Sequence, residues 1–213
     1  MDKTQFERRK FITIGAGAVA STMLTGTVYS KELLPTAKQA EGPFFPKHKQ
    51  IDKDADMTSL PGKTARANGQ LLKLSGRVLD IHGNAIENAL IDVWQADSKG
   101  RYLHEDAPET SPLDENFQYW AKIKSASDGS YSIKTIIPAK YAAENDWVRP
   151  PHIHFRVAKR GMRELTTQMY FAHEKALNAV DRLYLEAPVD ERAGITVEVK
   201  DSHANFNLVL AKI

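Results

Sequence analysis

From residue 71 onward, apolar and polar positions alternate in short runs broken by turn signals. LSGRVLD, ALIDVWQA, YWAKIKS and YSIKTII are separated by HGNA, DSKG and SDGS. Period-two alternation over five to eight residues, punctuated by Gly, Asn, Asp and Ser, predicts half-buried strands joined by tight turns. Further strands are expected at 152–158, 164–171, 195–200 and 206–211, with a turn at DSHAN and a short helix or ordered loop at HEKALNAVDRLYLEA. Several short strands at this spacing predict an all-β fold, a β-sandwich of mainly antiparallel strands with long loops. The preceding stretch, 31–70, is polar and irregular and reads as an arm laid over a domain at 71–213. A chain of 213 residues suits one such domain.

The first thirty residues break this pattern. Charge is confined to MDKTQFERRK, after which FITIGAGAVASTMLTGTVYS runs uncharged. That layout predicts an export signal, and Arg8-Arg9 followed by Lys10, Phe11 and Ile12 resembles a twin-arginine signal, although Glu7 stands where that signal usually has Ser or Thr. The expected location is therefore periplasmic or otherwise exported. The Gly, Ala and Thr content argues against stable membrane insertion once the signal is removed. Without residues 1–30 the chain carries 25 basic and 25 acidic side chains. A balanced chain without a basic run is not expected to bind nucleic acid, which requires phosphate neutralisation. Cysteine is absent, so a metal would be held by nitrogen and oxygen.

The stretch WVRPPHIHF raises the chemical question. In a strand, His152 and His154 project to one face while Ile153 and Phe155 project to the other. One reading is an ordinary two-faced strand with its polar side in water. The other is a metal pair, since adjacent imidazoles on one face reach a common ion. No third His lies nearby and no HExxH is present, which disfavours a zinc hydrolase. Tyr102, just after DSKG, and Tyr141, in IPAKYAAENDW, are tyrosines in loops, each open to reading as a packed ring or as a ligand.

EGPFFP, GRVLDIHGNAIENALIDVWQADSKGRY, SDGSYSIKTIIPAKY, WVRPPHIHF and TTQMYF occur in order over about residues 41–171. Together they closely resemble the intradiol ring-cleavage dioxygenases, in particular the protocatechuate 3,4-dioxygenase β-subunit-like branch. The resemblance implies a mononuclear non-haem Fe(III) held by Tyr102, Tyr141, His152 and His154, with Tyr141 and His154 axial. It gives Arg149 the task of stabilising charge on the substrate ring, and Gln168 that of hydrogen-bonding substrate. Tyr141 would leave the metal when substrate binds. The implied reaction cleaves a catechol with O2 between its hydroxylated carbons, giving a cis,cis-muconate-type diacid.

Elementary chemistry agrees with this ligand set. A tyrosine ionises near pH 10, so two phenolates at neutral pH require a strongly Lewis-acidic cation bound to their oxygens. The expected partners are a catecholic small molecule, O2 and further copies of the chain as a homo-oligomer. The chain lacks the long N-terminal helical region of the catechol 1,2-dioxygenase branch. Two rival expectations are a secreted prealbumin-like β-sandwich binding module without catalysis and a cupin-type Fe(II) or zinc enzyme. The latter would want a third histidine and a carboxylate. His104 is expected near a cleft mouth or on an exposed loop. His48, His82, His173 and His203 are expected at the surface, Trp94 and Trp120 in the core, and Trp147 beside the site.

Overall fold

The computed structural model describes residues 32–47, 52–144 and 146–213; the expected export segment at 1–30 and His48 lie outside them. Alternation along β1 (Leu71–Asp80) buries Leu72, Leu74 and Val78 and exposes Leu71, Lys73, Ser75 and Arg77, as a sheet with one solvated face requires. β1 pairs antiparallel with β4 (Ser130–Ile136) and, on its other edge, parallel with β10 (His203–Asn205) and β11 (Leu208–Leu210). The second sheet runs β3 (Trp120–Lys124), β2 (Leu90–Trp94), β7 (His152–Ala158), β8 (Leu165–Phe171) and β9 (Thr196–Val197), antiparallel except at β8–β9.

The two inner faces meet in one core. Leu72, Leu74, Ile133 and Leu208 of the first sheet share it with Ile91, Val93, Ile153, Phe155, Met169 and Phe171 of the second. Burying each side chain of this size contributes about 1.5–3 kcal/mol. The core therefore anchors β7 and β8 from the inner side and leaves their other face for chemistry. Trp94 and Trp120 do not join the main core. They belong to a second buried cluster with Ala96, Tyr102 and Ala107, against which Phe44, Phe45 and Tyr141 pack.

Strand bounds differ from the expectation where the backbone departs from regularity. The strand expected at 206–211 is reduced to Leu208–Leu210. A Cβ on Gly76 of β1 would lie 1.8 Å from the Phe206 carbonyl oxygen, which instead accepts the Tyr131 hydroxyl at 2.6 Å. Only glycine permits this approach, which falls on β1 between the stretch paired with β10 and the stretch paired with β11. The strand expected at 195–200 shrinks to β9, because a 3-10 turn (Arg192–Ile195) precedes it. DSHAN is a turn only at Asp201 and Ser202, whose φ values are 49° and 61°; His203–Asn205 is β10. HEKALNAVDRLYLEA holds two short helices, α1 (Lys175–Asn178) and α2 (Arg182–Glu186).

Two pieces of chain position the site. Residues 32–47 contain no helix or strand and lie along the sheets through backbone bonds Leu33 N–H to Ile81 O, Thr36 N–H to Val209 O and Gln39 N–H to Thr166 O. A small hairpin of β5 (Tyr141–Ala142) and β6 (Val148–Arg149) pairs Tyr141 with Arg149. Two-residue strands carry no periodicity, so this hairpin left no signal in the sequence. Among the described residues no helix is long and apolar enough to cross a membrane.

Candidate metal centre

His152 and His154 project from β7 on the side opposite Ile153 and Phe155, and both are only 2% exposed. Their face is not in water. Across the ladder His154 stands opposite Gln168 and His152 opposite Tyr170 on β8, while Trp94 of β2 stacks on the His154 ring at 4.7 Å and 9°. Tyr102 closes over the pair, its hydroxyl 3.3 Å from His152 Nε2 and 3.1 Å from His154 Nε2, and the two Nε2 atoms are 3.2 Å apart. Tyr141 completes the group: its ring lies 5.5 Å from that of Tyr102 and 5.7 Å from that of His152.

Burial, reinforced by the Arg149 cation, holds both imidazoles well below the usual histidine range, so they are neutral and able to donate lone pairs. His152 Nδ1–H donates to Pro150 O at 2.7 Å, which leaves Nε2 bare and aimed inward. Burial also pushes the Tyr102 phenol well above its usual value, followed by the effect of Tyr141. Burial raises Tyr141 too, with Arg149 acting in the opposite sense. Without a cation both phenols are protonated, and ionising them demands a highly charged metal. Donors at right angles about 2.1 Å from one ion lie about 3 Å apart, so the triangle of Tyr102, His152 and His154 fits such an ion. Among the described residues no cluster of three or more His, Cys, Asp or Glu side chains is placed to hold a metal, which leaves a cupin-type or zinc-hydrolase site without its ligands.

Arg149 and Gln168 lie beside these donors, 3% and 0% exposed. Arg149 Nη2 donates to Gln168 Oε1 at 2.7 Å and to the Tyr170 hydroxyl at 3.2 Å, and its charge acts on the phenol of Tyr141, its partner across the β5–β6 hairpin. Gln168 Nε2 donates to Ala40 O at 3.0 Å. Gln168 thus ties Arg149 to the arm, a role the sequence did not suggest. Trp147 packs over Arg149, 5.2 Å from its guanidinium carbon.

Several supporting residues escaped the sequence reading. Asp97 in DSKG is 0% exposed and accepts the backbone N–H groups of Lys99 and Arg101 and the Tyr119 hydroxyl, fixing the turn from which Tyr102 projects. Tyr119 adopts φ of 60°, a strained value for an aromatic residue, to make that bond. Phe44 of the arm packs on Tyr102 at 4.8 Å and Phe45 on Trp94 at 4.9 Å. His104 is neither exposed nor a ligand: its side chain is 1% exposed and Nδ1 accepts the Asp106 N–H at 3.1 Å. It lines a cavity of about 710 Å³ with Leu60, Leu103, Leu113 and Phe117, and none of the four donors lines that cavity. His82 and His203 are exposed, as expected.

The family model described as "Dioxygenase" matches residues 40–210. The chain belongs to the intradiol ring-cleavage dioxygenase family. It is 37% identical over 140 residues to the protocatechuate 3,4-dioxygenase beta chain of Burkholderia cepacia, covering 63% of this chain and 58% of that one. It is 33% identical over 118 residues to catechol 1,2-dioxygenase of Acinetobacter baylyi, covering 49% and 37%. The chain thus spans about half the length of these relatives. The structure of 3-chlorocatechol 1,2-dioxygenase from Rhodococcus opacus shares the fold, with a TM-score of 0.64 and 22% identity over 84% of this chain and 73% of that one. An intradiol ring-cleavage dioxygenase from Tetranychus urticae superposes with a TM-score of 0.63 and 16% identity, over 84% and 95%.

One contact brings the two tyrosines of the candidate site together. Gly100 has φ of 80°, and a Cβ there would lie 2.6 Å from Lys140 O and 3.0 Å from Tyr141 Cβ. Gly100→Ala is expected to force the Tyr102 turn and β5 apart, lowering stability by about 1–3 kcal/mol and metal occupancy at an unchanged circular dichroism spectrum. Metal analysis beside thermal melts tests this, and wild-type occupancy in the variant would show the contact to be slack.

Proposed function

We propose that the protein is a non-haem Fe(III) dioxygenase that cleaves catechol-type rings between the two hydroxylated carbons. The observation that carries this reading is the convergence of the buried Tyr102 phenol, the half-buried Tyr141 phenol and two buried neutral imidazoles, beside a buried arginine. A ferric ion held by Tyr102, Tyr141, His152 and His154 would draw electron density from a bound catecholate and make its ring reactive toward O2.

The chain's own residues do the rest. Tyr141 is the half-buried member of the four donors and sits on a two-residue strand, so it is the donor best placed to yield to substrate. Its oxygen is positioned to take a catechol proton as the ring arrives. Arg149, fixed beside it, offers a permanent cation to the negative charge that grows on the substrate oxygen during cleavage. The buried surroundings exclude water from both events. The carbon–carbon bond between the hydroxylated carbons breaks and both oxygen atoms of O2 enter the diacid, so no external reductant is consumed.

Incubating the iron-loaded protein with a panel of catechols under 18O2 is expected to give cis,cis-muconate-type diacids carrying two labelled atoms, and the relative rates across the panel identify the preferred ring. Arg149→Ala should retain iron and lose roughly 10²-fold or more in rate, the cost of removing one preorganised donor. Singly labelled, extradiol or absent products would contradict the reading.

Export remains part of the proposal, supported by Arg8-Arg9 ahead of an uncharged stretch. Replacing both arginines with lysine should hold the protein in the cytoplasm with its activity intact in lysates. Fractionation showing unchanged export would refute the twin-arginine route.

A further inference from the structure

Asp181 lies in the segment between β8 and β9, and its side chain is 0% exposed. A carboxylate removed from water is costly unless paired and hydrogen-bonded. Its Oδ2 accepts Arg149 Nε–H at 2.7 Å, while Oδ1 accepts the Tyr184 backbone N–H at 2.8 Å and Arg149 Nη2–H at 3.4 Å. The bond from Tyr184 fixes the carboxylate, and the carboxylate holds one edge of the guanidinium. Gln168 and Tyr170 take Nη2 from the side, and Tyr141 is the cross-strand partner of Arg149 in the β5–β6 hairpin.

The geometry points to Asp181 as a positioning residue for ring cleavage, aiming Arg149 at the phenol of Tyr141 and at the substrate oxygen that takes its place. The inference rests on the function proposed above. A buried pair of this kind is weak as a source of stability alone, because well-packed apolar side chains of similar volume do as well or better. What such side chains cannot supply is direction. Arginine has a long flexible stem, and its planar donor fork is useful to a reacting centre only when one edge is clamped and the other points at the charge. Asp181 supplies the clamp from a different part of the chain than any donor or Gln168, so β6 and the α2 segment are joined through the active arginine.

A double-mutant cycle on the iron-loaded full chain separates positioning from mere stabilisation. Asp181→Asn keeps the volume and an acceptor for Tyr184 but removes the charge and the clamp. It is expected to lower kcat about 10- to 100-fold with KM for catechol changed less than about threefold, at wild-type iron content. Its visible absorption band should shift, because the partner of the Tyr141 phenol has moved. Asp181→Glu should recover part of kcat. Arg149→Lys combined with Asp181→Asn should be no slower than Arg149→Lys alone, since a residue acting only through Arg149 has nothing left to position. A purely structural Asp181 predicts losses that multiply, with wild-type kcat per bound iron in Asp181→Asn, and either result overturns the inference while leaving ring cleavage in place. If Asp181→Asn does not fold, the same cycle with Asp181→Glu decides by the same criterion. A wild-type protein that binds iron but cleaves no catechol overturns the proposed function and this inference with it.

Discussion

The constraint on which the structure turns is the burial of two imidazoles on the polar face of β7 beneath the buried phenol of Tyr102 and the half-buried phenol of Tyr141. A polar face of a strand costs nothing in water and a great deal inside a protein unless every group finds a partner. Here Tyr102, His152 and His154 lie within hydrogen-bond distance of one another with Arg149 nearby, while His154 Nδ1 is left without a partner. The low-dielectric surroundings that make the arrangement expensive also keep the histidines neutral and strengthen the pull of any cation on the phenol oxygens.

The rest of the fold holds that arrangement still. The inner face of β7 is locked by Ile153, Phe155 and Val157 in the sandwich core, so the histidines are carried on a rigid element. Tyr102 comes from a loop, and loops are rigid only when tied. Asp97 ties it through two backbone N–H groups and Tyr119, and Gly100 lets it touch the Tyr141 strand. The arm at 40–45 backs the site with Ala40 on Gln168 and Phe44 on Tyr102.

Much of this was legible in the sequence, for identifiable reasons. The sandwich followed from period-two alternation, which reports a face, and β7 was read at its actual bounds because HIHFRVA alternates without interruption. The four residues proposed as donors and the two beside them were named through the family resemblance that the ordered motifs carry, and the fold brings all six together. The burial of the histidine face was not legible, since alternation cannot say whether a loop will cover the polar side. Nor was Asp181: it reads as an ordinary helix cap before RLYLE, and only the folded chain brings it to Arg149, 32 positions away. Asp97 was hidden in the same way inside a turn motif whose local role was evident and whose neighbour Tyr119 was not. The hairpin of β5 and β6 was too short to show a period, and the breaks near Phe206 and Ile195 depend on contacts from distant strands.

The central claim is that these four donors hold ferric iron as phenolate and imidazole complexes, and the visible absorption spectrum read beside metal analysis tests it most directly. Phenolate bound to Fe(III) absorbs in the visible through ligand-to-metal charge transfer, whereas zinc, Fe(II) or an empty site does not. The account predicts a reddish protein with about one iron per chain, a band that moves to longer wavelength when catechol is added without oxygen, and joint loss of colour and iron in Tyr102→Phe. A colourless protein that takes up no iron after exposure to ferric salts would contradict it.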